Sequence, residues 1–273
     1  MIKKDYGLIG YPLGHSFSPF IHGEIFKRTK KNCSYSLYEI QPDELKGKFN
    51  LLSSLGGFNI TVPHKENIRS YCEKFDESAA CGAVNCIKGK TGYNTDVFGF
   101  EKALKALGAN FLAGVCLLGY GGAGKMVAHT VAKAGGRLTI AEIDTNKLKD
   151  CPYKANFVKI KDLKGDFGLL INATPVGMSP KIKASPIDFK KVNADHVLDL
   201  IYNPFKTKFL TLAEQKGAKT MNGITMLVWQ AIKSHEIWYG GSVSDKEAAE
   251  IIKAVEEQLI VTVSKNKEKK EKA

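Results

Sequence analysis

The sequence predicts an α/β protein of two domains, an N-terminal α/β domain followed by a doubly wound, mostly parallel sheet. Three observations predict it. Residues 99–223 alternate short apolar runs with segments long enough for crossovers, the pattern of a parallel sheet with helices on both faces. A glycine-rich loop, Gly119-Tyr120-Gly121-Gly122-Ala123-Gly124, follows the first of those runs and opens a helical stretch. Before residue 98 the pattern differs, mixing alternating strands with shorter helical segments, and helical spacing returns from 224.

Taken in order, Tyr6–Gly10 reads as a strand, then Tyr35–Ile40, whose apolar positions alternate, and Phe58–Val62, stopped by Pro63. Val84–Lys88 and Thr91–Asn94 flank Gly89-Lys90, a hairpin turn. Pro19–Thr29 and Pro42–Leu55 have helical spacing, the first entered through Ser18-Pro19, a capping residue followed by proline at the first helical position. A helix over Phe98–Leu107 leads to Gly114–Leu118, an apolar run suited to a strand buried on both faces. After the glycine loop and its helix to about Ala134, strands are expected at Arg137–Ala141, Phe157–Ile160, Leu169–Ala173 and Val197–Ile201. Two helices, Ile224–Tyr239 and Asp245–Val261, close the pattern. The expected domains are therefore 1–98 completed by 224–262, and 99–223, with 263–273 as a basic, frayed tail.

Composition excludes several classes. At 44% hydrophobic and 25% charged the chain reads as an ordinary globular protein, with no run long enough to span a membrane. The start turns polar too soon for a signal peptide, so cytoplasm is expected. The six cysteines form no CxxC pair and read as reduced thiols, and no metal cluster is expected, His15, His22 and His64 being too loosely spaced. The net charge of +12 invites a nucleic-acid reading, but five lysines fall in the last nine residues, without interleaved aromatics for stacking.

The glycines Gly119, Gly121 and Gly124 fit G-x-G-x-x-G between a strand and a helix, where they serve a tight turn, backbone approach to a pyrophosphate and close helix–strand packing. Gly122 and Ala123 complete the loop, and a plain glycine turn is the alternative. Glu142 ends the next strand, 23 residues after Gly119, placed to accept from ribose hydroxyls and to repel a 2′-phosphate. Asp144 fits a helix cap. Glu142 points to NAD rather than NADP, although Lys147 stands close enough to keep both open.

In the first domain, Ser16 and Ser18 put two hydroxyls at a helix entrance, an arrangement suited to a carboxylate, or Ser18 simply caps the helix. Asn59 and Thr61 share one strand face. Lys65 falls in what reads as the first turn of a helix, where the dipole disfavours a cation, so the position suggests acid–base chemistry; a solvated surface lysine is the alternative. Asn85 and Asp96 bracket the hairpin, and Asp96 also suits a helix cap.

The segments GYPLGHSFSPFIH, FNITVPHK, GAVN, GYNTD, GYGGAG, INATPVGM, DLIYNPFKTKFL and NGITMLVWQA, in this order from about residue 6 to 232, resemble the successive motifs of shikimate dehydrogenases. The resemblance implies an N-terminal substrate domain plus a Rossmann-like domain, and reversible NAD(P)-dependent reduction of 3-dehydroshikimate to shikimate in aromatic amino acid biosynthesis. It implies Lys65 and Asp96 as the catalytic pair, and Ser16 and Ser18, helped by Tyr202, on the substrate carboxylate. Asn59, Thr61, Asn85 and Gln230 would bind ring hydroxyls. The glycine loop would hold the pyrophosphate, and Thr174, Ile201 and Gly223 would line the nicotinamide end. The expected partners are small molecules, with no nucleic acid and no membrane, in a monomer or homodimer. One departure stands out: NADP-using members carry an arginine after the second strand of the dinucleotide domain, and Ile143 stands there. Either the chain prefers NAD, and with it quinate becomes an alternative substrate, or Lys147 and a neighbouring loop substitute for that arginine. A cleft between the domains, closing about hinges near Asn94–Phe98 and Asn222–Ile224, is the expected active site.

Overall fold

The computed structural model describes residues 4–14 and 16–271, and the chain divides into two compact units, Met1–Gly99 with Leu227–Val255 and Phe100–Met226 with Glu256–Ala273. His15 and the end of the lysine-rich tail lie outside the described residues.

The first unit is built on β1 (Lys4–Gly10), α1 (Ser18–Arg28), β2 (Cys33–Glu39), α2 (Leu45–Leu52), β3 (Phe58–Ile60), β4 (Lys74–Phe75), β5 (Cys86–Lys88) and β6 (Thr91–Tyr93). Its mixed sheet runs β2-β1-β3-β5-β6-β4, with β1 parallel to β2 and β3. The hairpin β5–β6 turns at Gly89, where a φ of 58° suits a residue without Cβ, as the Gly89-Lys90 pair predicts. The two-residue β4 is too short to leave a pattern in the sequence. Helix α3 (Thr95–Leu107) begins three residues before the predicted start, because the Asn94 side chain accepts the Asp96 backbone N–H at 3.1 Å and supplies the missing acceptor. One side of the core joins Ile9, Leu52, Phe58, Ile60 and Ile87; another gathers Tyr6, Phe26, Cys86 and Trp238.

The second unit holds β7 (Val115–Leu118), α4 (Gly122–Lys133), β8 (Leu138–Glu142), β9 (Ala155–Lys159), β10 (Gly165–Asn172), β11 (Val192–Asp199), α5 (Lys208–Gln215) and β12 (Lys219–Met221). All six strands are parallel, in the order β12-β11-β10-β7-β8-β9. Strand order reverses beside β7, so the glycine loop that follows β7 sits at the switch point of a doubly wound α/β sheet. Every residue of β7 is buried, as its apolar run predicts.

The segments long enough for crossovers do not all carry helices. Between β8 and α5 the described residues hold no α-helix, only 3-10 turns at Thr145–Leu148 and Ile160–Asp162. The β9–β10 link is too short for one, and the β10–β11 link is broken by Pro175, Gly177, Pro180 and Pro186. Helix α5, by contrast, carries a sequence signal that the apolar pattern alone misses: Thr207 caps it, its hydroxyl accepting the Leu210 N–H at 3.3 Å.

The chain ends on α6 (Ile224–Tyr239) and α7 (Asp245–Glu271). The backbone of α7 stays helical past Val261, to Glu271, into the stretch expected to fray. Among the described residues no helix is long and apolar enough to cross a membrane.

Candidate active site

Lys65 and Asp96 meet in the first unit, with Lys65 Nζ donating to Asp96 Oδ2 at 2.6 Å. Lys65 lies in the turn after β3, before the 3-10 turn Asn67–Tyr71, and not in the first turn of an α-helix as its sequence suggests. The dipole argument therefore does not apply to it. What fixes Lys65 is its own backbone, whose carbonyl accepts the Val84 N–H at 2.8 Å, and the neighbouring His64 ring, whose Nε2 lies 2.6 Å from the Ile40 carbonyl. Asp96 is not the cap of α3, since Asn94 takes that position, and its carboxylate is left to face the lysine. The two side chains keep 22% and 15% of their surface exposed, enough for a ligand to reach both. A cation and a carboxylate in direct contact and open to solvent can pass a proton to or from a hydroxyl beside them.

A buried polar chain runs alongside. The Asn59 amide donates to the Asn85 carbonyl at 3.1 Å and to Ser234 Oγ at 2.8 Å, while its oxygen accepts from the Tyr35 hydroxyl at 2.8 Å. Asn59 therefore has no N–H left for a ligand. It serves as a hub, and a ring hydroxyl would meet its oxygen rather than its amide hydrogens. The Asn85 side-chain oxygen accepts from Thr95 N at 2.7 Å, and Thr95 Oγ1 in turn lies 3.2 Å from Ser234 Oγ and 3.4 Å from Gln230 Oε1. Three of the candidate substrate residues, Asn59, Asn85 and Gln230, are thus joined through Thr95 and Ser234. Ser234 does not stand out in the sequence, a serine inside a helix being an ordinary residue, and Thr95 is present there only as part of GYNTD. Thr61, just past β3, is half-buried.

At the entrance of α1 the N-cap position belongs to Phe17, without a side-chain cap, and Pro19 occupies the first turn. Ser18 is thus inside the helix rather than capping it. Ser16 Oγ accepts the Ser18 N–H at 3.2 Å, and the Ser18 hydroxyl interacts with the Tyr35 phenol. The serine pair and the amide hub are thereby connected through Tyr35.

In the second unit the three glycines have distinct causes. Gly119 has a φ of 87°, and a Cβ on Gly124 would stand 2.2 Å from the Gly119 carbonyl oxygen, so the first turns the chain and the third lets α4 close on it. Gly121, the N-cap of α4, and Gly122 face open space, which leaves room for a pyrophosphate against the free N–H groups of the helix. Ala123 follows them, half-buried. These residues fit a dinucleotide.

Glu142 is buried and its carboxylate is already engaged, Oε2 accepting from Tyr120 N at 2.9 Å and Oε1 from Ile143 N at 2.8 Å. It ties the glycine loop to the end of β8. Lys147 Nζ stands 3.9 Å from the same carboxylate, and Asp144 caps the 3-10 turn after it, as its sequence position suggests. Thr174 is held by Asn172, whose Oδ1 accepts its N–H at 3.0 Å and its hydroxyl at 2.7 Å. Asn172 donates to Asp199 at 3.0 Å, and Asp199 accepts from Ile201 N at 3.1 Å and from Thr207 Oγ1 at 2.6 Å. Burial pushes the Asp199 carboxyl up to about 6 despite these donors. The Gly223 N–H donates to the Ile201 carbonyl at 3.1 Å, and a Cβ there would meet the Leu200 carbonyl oxygen at 2.2 Å. Tyr202, in the same unit, is half-buried, and burial raises its phenol.

Comparison with known proteins points one way. Residues 8–87 match the shikimate dehydrogenase substrate binding domain. The shikimate dehydrogenase (NADP(+)) of Caldanaerobacter subterraneus subsp. tengcongensis is 37% identical over 257 residues, 87% of this chain and 92% of the relative. A crystal structure of a chorismate mutase/shikimate 5-dehydrogenase fusion protein from Clostridium acetobutylicum superposes with a TM-score of 0.87 at 34% identity, covering 95% of this chain and 99% of that one. A Listeria monocytogenes shikimate 5-dehydrogenase in complex with shikimate and NAD gives a TM-score of 0.80 at 29% identity, over 92% of this chain and 96% of the other.

Proposed function

The chain belongs to the shikimate dehydrogenase family, and from that membership we propose that it interconverts shikimate and 3-dehydroshikimate with a nicotinamide dinucleotide. The observation that carries the reading is the Lys65–Asp96 contact of 2.6 Å, a solvent-reachable proton-transfer pair in a chain that also holds an open glycine loop.

The bound dinucleotide supplies the hydride acceptor or donor; all else falls to side chains. In the oxidising direction the Lys65 and Asp96 pair takes the hydroxyl proton and stabilises the developing oxyanion, and in the reducing direction it returns that proton. Ser16 and Ser18 hold the substrate carboxylate, with Tyr202 assisting. Thr61, Asn85 and Gln230 meet the ring hydroxyls. Asn59, with its amide hydrogens committed, holds Asn85 and Tyr35 in place, and its oxygen retains one acceptor site for a ring hydroxyl. Gly121, Gly122 and Ala123 receive the pyrophosphate, and Thr174, Ile201 and Gly223 line the nicotinamide end. For the cofactor's phosphate two indications oppose each other. Glu142 and Ile143 weigh toward NAD, and the names of the curated relatives toward NADP.

The test is shikimate-dependent reduction of NAD and of NADP, with quinate as the second substrate. Wild-type protein turns over shikimate, and Lys65→Ala lowers turnover by about a hundredfold or more while the melting temperature stays close to wild type. Absence of turnover with both cofactors on both substrates overturns the reading, and a fully active Lys65→Ala overturns the assignment of the pair.

A further inference from the structure

In a doubly wound sheet the residue ending the second strand meets the adenosine ribose, and here that residue is Glu142, followed by Ile143. A cavity of about 660 Å³ opens beside Ile143. It exists where helices are missing, being lined by the β9–β10 link and by the approach to β11. Its apolar lining includes Ile160, Leu163 and Ile187, and its cations are Lys159, Lys161, Lys190 and Lys191. The one acid that lines it, Asp188, is paired with Lys190 at 3.4 Å, so Lys159 and Lys161 are not offset by it.

Register ties this cavity to the adenosine position. Lys159 is the direct neighbour of Glu142 in the parallel β8–β9 pair, one strand spacing or about 5 Å away. The buried Glu142 carboxylate beside that space weighs against an anion there, and the cavity lysines have to outweigh it. Its two oxygens are turned to the Tyr120 and Ile143 N–H groups, and Lys147 stands beside it. Ile143, 74% exposed, adds an apolar surface of the kind an adenine ring covers.

We propose that this cavity receives the 2′-phosphate of NADP, with Lys159 and Lys161 supplying the positive charge that isoleucine at 143 does not. The inference rests on the dinucleotide-dependent reading of this chain. A 2′-phosphate is close to a dianion with three acceptor oxygens, and ammonium groups from two positions meet it as point charges. The lysines make this member able to use NADP, without any contribution to the proton-transfer pair.

Calorimetric binding of adenosine 2′,5′-bisphosphate and of 5′-AMP, to wild type and to the double variant Lys159→Ala/Lys161→Ala, tests it directly. Wild type is expected to bind the bisphosphate at least about tenfold more tightly than AMP, and the double variant to lose most of that preference with AMP affinity unchanged. In kinetics, the KM for NADP rises by a similar factor, while NAD-dependent turnover on shikimate stays at the wild-type value and shows the variant to be folded. Equal wild-type affinity for the two nucleotides, or an undiminished preference in the variant, overturns the proposal. A wild type that prefers the bisphosphate but oxidises no shikimate leaves the cavity assignment standing and removes the functional reading instead.

Discussion

The two units secure their polar groups by opposite means. In the first, the candidate substrate residues are bound to one another through a buried chain of side chains, Ser18–Tyr35–Asn59–Ser234–Thr95–Asn85. In the second, the candidate cofactor loop is shaped by backbone and by the absence of side chains, with Glu142 tying two N–H groups beneath it. The first unit is therefore sensitive to which functional groups are present, and the second to how much space they occupy.

The largest expected effect tests the second half of that contrast. Gly124→Ala places a methyl 2.2 Å from the Gly119 carbonyl oxygen, a backbone atom with no freedom to yield, so α4 has to move. We expect a loss of about 3 kcal/mol or more in denaturant unfolding, the upper range for overpacking. Gly121→Ala meets nothing within 4 Å and should melt within a degree or two of wild type, while its KM for dinucleotide rises about tenfold because the methyl fills the phosphate space. Equal stability losses in the two variants would break the comparison.

A smaller effect separates the units by pH. His22 is fully buried, its ring stacked on Tyr35 at 4.0 Å, and burial together with the nearby His235 pushes it down to about 3; burial and then Lys31 bring His235 down to about 4. Both folded values lie below the ordinary histidine value of about 6.5, so these histidines favour the fold above that pH and cost it stability as pH falls through the window toward 3. Asp199 in the second unit has the opposite sign. Its raised value of about 6 means its contribution is fully present below the ordinary carboxyl value and is lost as pH rises to about 6. Trp229 and Trp238, the chain's two tryptophans, both belong to the first unit, so their fluorescence reports it alone. Tryptophan-detected unfolding should weaken by a few kcal/mol between about pH 6.5 and 4. A flat profile over that window would show that the buried histidines are not held neutral.

The contrast also explains what was legible from sequence. The glycine loop is a local device, its requirements carried by residues a few positions apart, and the strand–loop–helix context around Gly119 was plain. Lys65 and Asp96 stand out through their motifs, but a helix dipole is not what sets Lys65 apart, because the turn after β3 is longer than the spacing suggests. Tyr35 and Ser234 carry no signal of their own, and Thr95 stands in the GYNTD segment without a separate role. Each is an ordinary residue for its strand or helix, and its importance comes from partners up to 175 positions away, as with Asn59 and Ser234. The missing crossover helices were foreseeable from Pro175, Pro180 and Pro186, which outweigh a segment's mere length.

The central claim is that a hydride leaves a secondary alcohol carbon of shikimate while Lys65 and Asp96 handle its proton. Shikimate deuterated at C3, incubated with the protein and oxidised dinucleotide, tests that claim most directly. The account predicts that mass spectrometry finds the deuterium in the reduced nicotinamide ring, in amounts equal to the 3-dehydroshikimate formed. Product formed with the deuterium released to water, or no product at all, would contradict it.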